Sequence, residues 1–200
     1  FRGFGRWAFF PYLAEKIAEA GMHAITFDFS GSGVGPDRES FTETEAFERN
    51  TYSKELRDVA AVERESHARG WLGERYGLFG HSRGGAVALI HAARSTHVGA
   101  LVTWSSIAVF GRWPAQDVPG WRERGWLEVK NGRTGPALRL GTDVLDELER
   151  LGRTELDVVA AAGRITVPWL IVHGTKDEAV PVDDAHRLHA LEGCVSDRAA

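Results

Sequence analysis

Cysteine is nearly absent from this sequence. Cys194 stands alone, so no disulfide can close within the chain, which fits a reducing compartment and makes a cytoplasmic location the expectation. Long hydrophobic runs are missing too: nothing approaches the roughly 18 apolar residues of a membrane span, and the opening FRGFGRW has no signal-peptide pattern, so no membrane partner is expected. Positive charge is not in excess. Lys and Arg number 24 against 28 Asp and Glu, a formal charge of −4, and no basic stripe exists of the kind that phosphate-backbone binding requires. Nucleic acid is thereby a poor partner and a small-molecule substrate the better one. The sequence begins with Phe1, and its one methionine, Met22, falls in a stretch that reads as folded, so the natural start is expected upstream. No internal repeat, linker or low-complexity segment is visible.

What is present suits one globular domain with a sizeable core: 43% of the residues are apolar and 26% charged. Helix-like and strand-like segments alternate, which predicts a parallel sheet with crossover helices. Phe10, Leu13, Ala14 and Ile17 recur at helical spacing before Gly21, and residues 23–29 (HAITFDF) read as a strand ended by the glycine-rich loop 30–35. Thr51 is placed to cap a helix burying Leu56, Val59 and Ala60 and ending near Gly70. A short strand at Tyr76 to Phe79, a small-residue helix over 84–94 and a buried strand at Val98 to Trp104 come next.

The alternation then breaks for about sixty residues before the next strand pattern, Val167 to His173, far longer than an ordinary connection. An inserted helical cap over 105–163 is expected, with residues 1–104 and 164–200 forming the core. The insert holds Trp113, Trp121 and Trp126, a helix pattern at Thr142 to Leu151, and a second helix beginning at Thr154, where Thr154 to Asp157 (TELD) matches a capping box. Its tryptophans have a core reading and a reading as the lining of an apolar acyl or alcohol pocket.

Two constellations carry chemistry. Gly80-His81-Ser82-Arg83-Gly84 fits G-x-S-x-G, between a strand and a small-residue helix, with Gly85 adding room for helix–sheet packing. A serine on such a sharp turn takes a strained backbone geometry in which flanking side chains would collide. Its hydroxyl is presented at the C-terminal edge of the sheet, and the next backbone N–H, that of Arg83, can face a developing oxyanion. In the second constellation a buried strand over 168–173 ends at Gly174, and Asp177 comes three residues later in a loop closed by Pro181. That puts a carboxylate at the same edge, where a triad acid would orient a histidine. Glu178 is the second choice, while Asp183 and Asp184 suit the start of the next helix.

GHSRGG at 80–85, DFSGSG at 28–33 and HGTKDEAVP at 173–181 together resemble the α/β-hydrolase superfamily, especially its dienelactone-hydrolase-like and serine-aminopeptidase-like branch. The resemblance covers almost the whole chain. It implies a doubly wound, mainly parallel sheet, a serine nucleophile at Ser82 and a triad acid at Asp177. In such proteins the strand before the first helix ends in a His-Gly pair, and the residue after the pair gives a second oxyanion N–H. FRGFGRW is similar to the segment just beyond such a pair, so the resemblance assigns this N–H to Phe1. Some relatives keep their acid after the earlier strand, where this chain has Ser105 and Ser106, which favours Asp177.

The departure from the family is the histidine. Members carry it after one further strand beyond the acid, and His186 and His189 are the only candidates downstream. Both fall in DDAHRLHAL, which reads as the helix before that strand, so a surface or packing role suits them better, and truncation at both ends is expected. His81 sits beside the nucleophile, facing away from it; His173 ends a strand; His23, His67, His91 and His97 share no ligand spacing, so no metal site is expected. The G-x-G-x-G of Gly31, Gly33 and Gly35 precedes a polar stretch rather than a helix, which argues against a dinucleotide site, and no cofactor is implied. The resulting expectation is ester hydrolysis, less readily amide hydrolysis, through an acyl-serine. The alternative is a binding-only or catalytically inactive protein on the same fold, or a fragment lacking the triad histidine. Substrate identity and oligomeric state are not legible.

Overall fold

The computed structural model describes residues 5–129 and 137–191. In chain order the elements are α1 (Phe10–Glu19), α2 (Thr44–Glu48), α3 (Tyr52–Ala68), β1 (Tyr76–His81), α4 (Arg83–Ala92), β2 (Val98–Trp104), α5 (Asp117–Arg124), β3 (Trp126–Val129), β4 (Leu138–Gly141), α6 (Asp143–Leu151), α7 (Val158–Ala162), β5 (Trp169–Val172) and α8 (Asp183–His189). They fall into two compact units, one of residues 1–58 and 113–147, the other of 59–112 and 148–200.

The second unit holds a parallel sheet in the order β1-β2-β5. Tyr76 pairs with Val98 and His81 with Trp104 across the first ladder; Leu101 pairs with Trp169 and Trp104 with Val172 across the second. Parallel strands need a crossover, and α4 supplies it, lying on β1 and β2. Ala86, Val87, Ala88, Leu89 and Ile90 are all buried, so this helix is apolar on every side, as one packed between a sheet and a further helix, α7, must be. A shell of small residues lets it approach closely. A side chain at Gly80 would meet the Gly84 carbonyl and lie 2.7 Å from Gly85 Cα, and one at Gly85 would lie 2.6 Å from Ser106 Cβ.

In the first unit, β3 and β4 form an antiparallel pair and α2 packs on β4. The periodicity of the insert did not announce this pair, because each strand is only four residues long. Trp121 of α5 is fully buried, edge-on to Trp113 at 4.9 Å, while Trp126 lies under the guanidiniums of Arg139 and Arg124. The glycines of loop 30–35 have packing reasons. A side chain at Gly31 would collide with Asn50, and one at Gly33, where φ is +79°, would lie 2.9 Å from Phe47 Cβ.

Two local expectations are corrected, at residues 23–29 and at Thr154, and the expected cap at Thr51 is supplemented. Residues 23–29 take part in no strand ladder among the described residues; residues 23–26 are exposed, while Phe27 stands edge-on to Phe29 and the Gly5 N–H donates to Asp28 at 2.6 Å. At the start of α3, Thr51 Oγ1 reaches the Lys54 N–H only at 3.4 Å, and the stronger cap comes from Glu147, whose Oε2 accepts from the Tyr52 N–H at 2.8 Å. The box at Thr154 starts its helix later: Asp157 is the N-cap of α7, accepting from the Ala160 N–H at 2.9 Å, and Thr154 hydrogen-bonds back to Leu151. Among the described residues no helix is long and apolar enough to cross a membrane.

Candidate active site

β1 runs straight into α4 through Ser82, whose backbone sits at φ +54°, ψ −122°. That region is costly for a residue with a Cβ and persists only when the surroundings fix it. Here they do: the Ser82 N–H donates to the Trp104 carbonyl at 2.9 Å, and the Ser82 carbonyl accepts from the Gly85 N–H at 3.0 Å. Arg83 begins the helix, so its N–H belongs to the positive end of a ten-residue helix. Of the glycines around the serine, Gly80 and Gly85 are sterically required. Gly84 is not: a side chain there meets nothing within 4 Å, so the expected collision at that flank is corrected.

The same edge continues across the sheet. The Ser105 N–H donates to the Val172 carbonyl at 2.8 Å just as the Ser82 N–H donates to Trp104, and Ser105 also stands at positive φ, +46°. Its hydroxyl is one of the groups that lower the pKa of Asp177. Asp177 Oδ1 accepts from the Ala179 and Val180 N–H groups at 2.9 and 3.0 Å, closing the loop after β5. The Val180 N–H, the Ser105 hydroxyl and the Ala179 N–H together outweigh partial burial and hold this carboxyl below the usual carboxylate range.

The histidines around this edge divide clearly. His173 comes directly after β5; its Nε2 lies 2.8 Å from the Val180 carbonyl and 3.9 Å from Asp177 Oδ2, so it braces the loop and its second ring nitrogen is buried without a partner. His81 is half-buried against Trp104, and burial pulls its pKa below the ordinary histidine value against the opposing charge of Asp177. His186 and His189 both lie on α8, His186 exposed and His189 at its last residue. Among the described residues no histidine hydrogen-bonds the Ser82 hydroxyl. Phe1, assigned an oxyanion N–H by resemblance, lies outside the described residues.

The model of the alpha/beta hydrolase family matches residues 2–195. The chain belongs to that family. Solved structures with this fold include Est1E from Butyrivibrio proteoclasticus with ferulic acid bound, 22% identical, TM-score 0.74, covering 96% of this chain and 73% of that one. Another is the monoacylglycerol lipase of Paleococcus ferrophilus, 22% identical, TM-score 0.65, covering 94% of this chain and 77% of that one. No curated protein matches significantly.

Sequence reasoning missed three features of this chain. Ser105 as a partner of Asp177 carried no local signal, because the pair joins two loops. Asp184, expected at the start of α8, does begin that helix, but its carboxylate is buried, accepting from the Ala108 N–H at 2.9 Å and from Arg112. The third correction concerns the histidines: His67 and His97, thirty residues apart and sharing no ligand spacing, are brought together with Glu63, the ligand atoms of all three lying within 4.8 Å of one another.

Proposed function

We propose that the chain is a serine hydrolase cleaving an ester, less readily an amide, of a small substrate through an acyl-serine intermediate. The observation that carries the reading is Ser82 at φ +54°, ψ −122° between a strand and the N-terminus of a buried helix, with Asp177 fixed in the loop after β5 by the Ala179 and Val180 N–H groups. Ser82 Oγ would attack the carbonyl carbon while a histidine takes its proton, and Asp177 would orient that histidine. The Arg83 N–H would stabilise the oxyanion. Among the described residues no histidine hydrogen-bonds the Ser82 hydroxyl, so the second reading is a binding-only or inactive protein on the hydrolase fold, or a fragment lacking the triad histidine.

Turnover of p-nitrophenyl acetate and butyrate separates the two. The hydrolase reading expects Ser82→Ala to lower kcat/KM by about 10³ or more, because only binding and oxyanion stabilisation would survive. A fluorophosphonate should label Ser82 alone. Near-normal turnover by folded Ser82→Ala would remove Ser82 as the nucleophile, whereas a folded wild type, extended at both ends, that neither turns over ester nor takes the label would leave the binding-only reading standing.

A further inference from the structure

At the opposite, N-terminal edge of the sheet, three segments converge: the last turns of α3, the start of β1 and the loop entering β2. Glu63 and His67 stand four residues apart on α3, on one face of the helix, and His97 immediately precedes β2. We infer that Glu63, His67 and His97 form a binding site for a divalent transition-metal cation of the zinc class. Nothing in the hydrolase reading uses this site, which is roughly 20 Å from Ser82 along β1.

The donor chemistry fits. Two imidazoles and one carboxylate are a common three-ligand set for zinc, with water in the fourth position. Ligands about 2.0 Å from a tetrahedral ion lie about 3.3 Å from each other, and Glu63 Oε1 lies 3.1 Å from His97 Nδ1. The His67 ring centroid is 5.0 Å from that of His97, and its Nε2 is buried without a hydrogen-bond partner, an orphan that coordination would satisfy.

A supporting shell is also built. Ser95 Oγ donates to Glu63 Oε1 at 2.9 Å, and Glu63 Oε2 lies 3.0 Å from Nε2 of buried His91, which in turn lies 3.0 Å from the Tyr76 hydroxyl. Such partners fix a ligating carboxylate's orientation. His97 is 53% exposed, giving the ion a path from solvent, whereas Glu63 is 13% exposed. A bound ion would tie the end of α3 to the strand entry without entering the ester chemistry.

Titration of the metal-stripped chain with Zn2+ by calorimetry should give one site of micromolar or tighter affinity, and Co2+ should develop the visible bands of a low-coordinate N/O site. His97→Ala changes an exposed side chain and should weaken binding at least about 10-fold; His67→Gln should do the same, while the double variant His186→Ala/His189→Ala keeps the affinity. Thermal unfolding should shift upward with Zn2+ in the wild type and not in His97→Ala. No saturation by submillimolar Zn2+, or equal affinity in wild type and in folded His97→Ala and His67→Gln, would overturn the site.

Discussion

At the C-terminal edge of the sheet Ser82 and Ser105 both stand at positive φ, and Asp177 is 21% exposed in its loop. At the N-terminal edge the backbone enters β1 and β2 without such strain, and the carboxylate of Glu63 is instead enclosed by Ser95, His91 and His97. One edge stores its tension in the main chain and leaves its polar groups open to a ligand. The other keeps an ordinary main chain and gathers side chains from three segments around one charge. Strain held by surrounding structure marks a position where chemistry needs an awkward geometry, whereas an enclosed ionic cluster marks a position where the fold or an ion is being tied down.

The contrast breaks most visibly in opposite observables. Ser82→Ala should remove about 10³ or more of ester turnover and leave the unfolding midpoint unchanged, since its hydroxyl supports no packing. Glu63→Ala should instead destabilise by about 1–3 kcal/mol in urea unfolding, because buried His91 and Ser95 lose their acceptor. A Ser82→Ala protein destabilised as much as Glu63→Ala would erase the distinction.

Next in size is the helix contact beneath the serine. Gly80→Ala places a methyl against the Gly84 carbonyl and Gly85 Cα, and Gly85→Ala places one against Ser106 Cβ. Backbone cannot rotate away as a flexible side chain can, so each should cost about 1–3 kcal/mol and reduce turnover by shifting Ser82. Wild-type stability in either variant would show that α4 does not hold the turn in place.

Legibility divided along the same line. The strand, turn and helix around Ser82 are contiguous, so G-x-S-x-G with its flanking patterns was enough to locate β1, α4 and the strained residue. Asp177 was legible because its loop comes directly after a strand. The effect of the Ser105 hydroxyl on Asp177, the Glu147 cap on α3 and the meeting of His67 with His97 join residues remote in sequence, and a single chain carries no periodic trace of such contacts. The i, i+4 spacing of Glu63 and His67 was the one available signal at the N-terminal edge. Residues 23–29 failed for the converse reason: composition describes a strand's side chains, but a strand also requires a ladder partner.

A smaller effect is expected from His81. Burial lowers its folded-state pKa below the ordinary 6.5, so near and below that value the unfolded chain binds more protons than the folded one, and stability falls as pH drops. The contribution is complete above the unfolded value and declines through pH 6.5 toward the lowered folded value. His81→Gln should therefore lose less stability than wild type between pH 7 and about pH 5 in urea unfolding. Parallel curves for the two proteins would remove His81 as a source of the slope.

The smallest effect, and the one that separates motif from fold most finely, is expected at Gly84. Gly80 and Gly84 flank Ser82 symmetrically in the sequence pattern, yet a Cβ at Gly80 strikes backbone and a Cβ at Gly84 meets nothing within 4 Å. Gly84 is also the second residue of α4 and is not among the positive-φ glycines, so its conformation is one that alanine adopts without strain. Replacing a helical glycine by alanine narrows the unfolded ensemble and improves helix propensity, which together stabilise by about 0.4–1 kcal/mol. Gly84→Ala should therefore unfold at slightly higher urea than wild type while Gly80→Ala unfolds at lower urea. If ester turnover falls in the stabilised Gly84→Ala protein, the open space beside Ser82 serves the substrate rather than the fold. If Gly84→Ala is instead destabilised by more than about 1 kcal/mol, the turn at Ser82 depends on both glycines and the steric asymmetry between its two flanks is wrong.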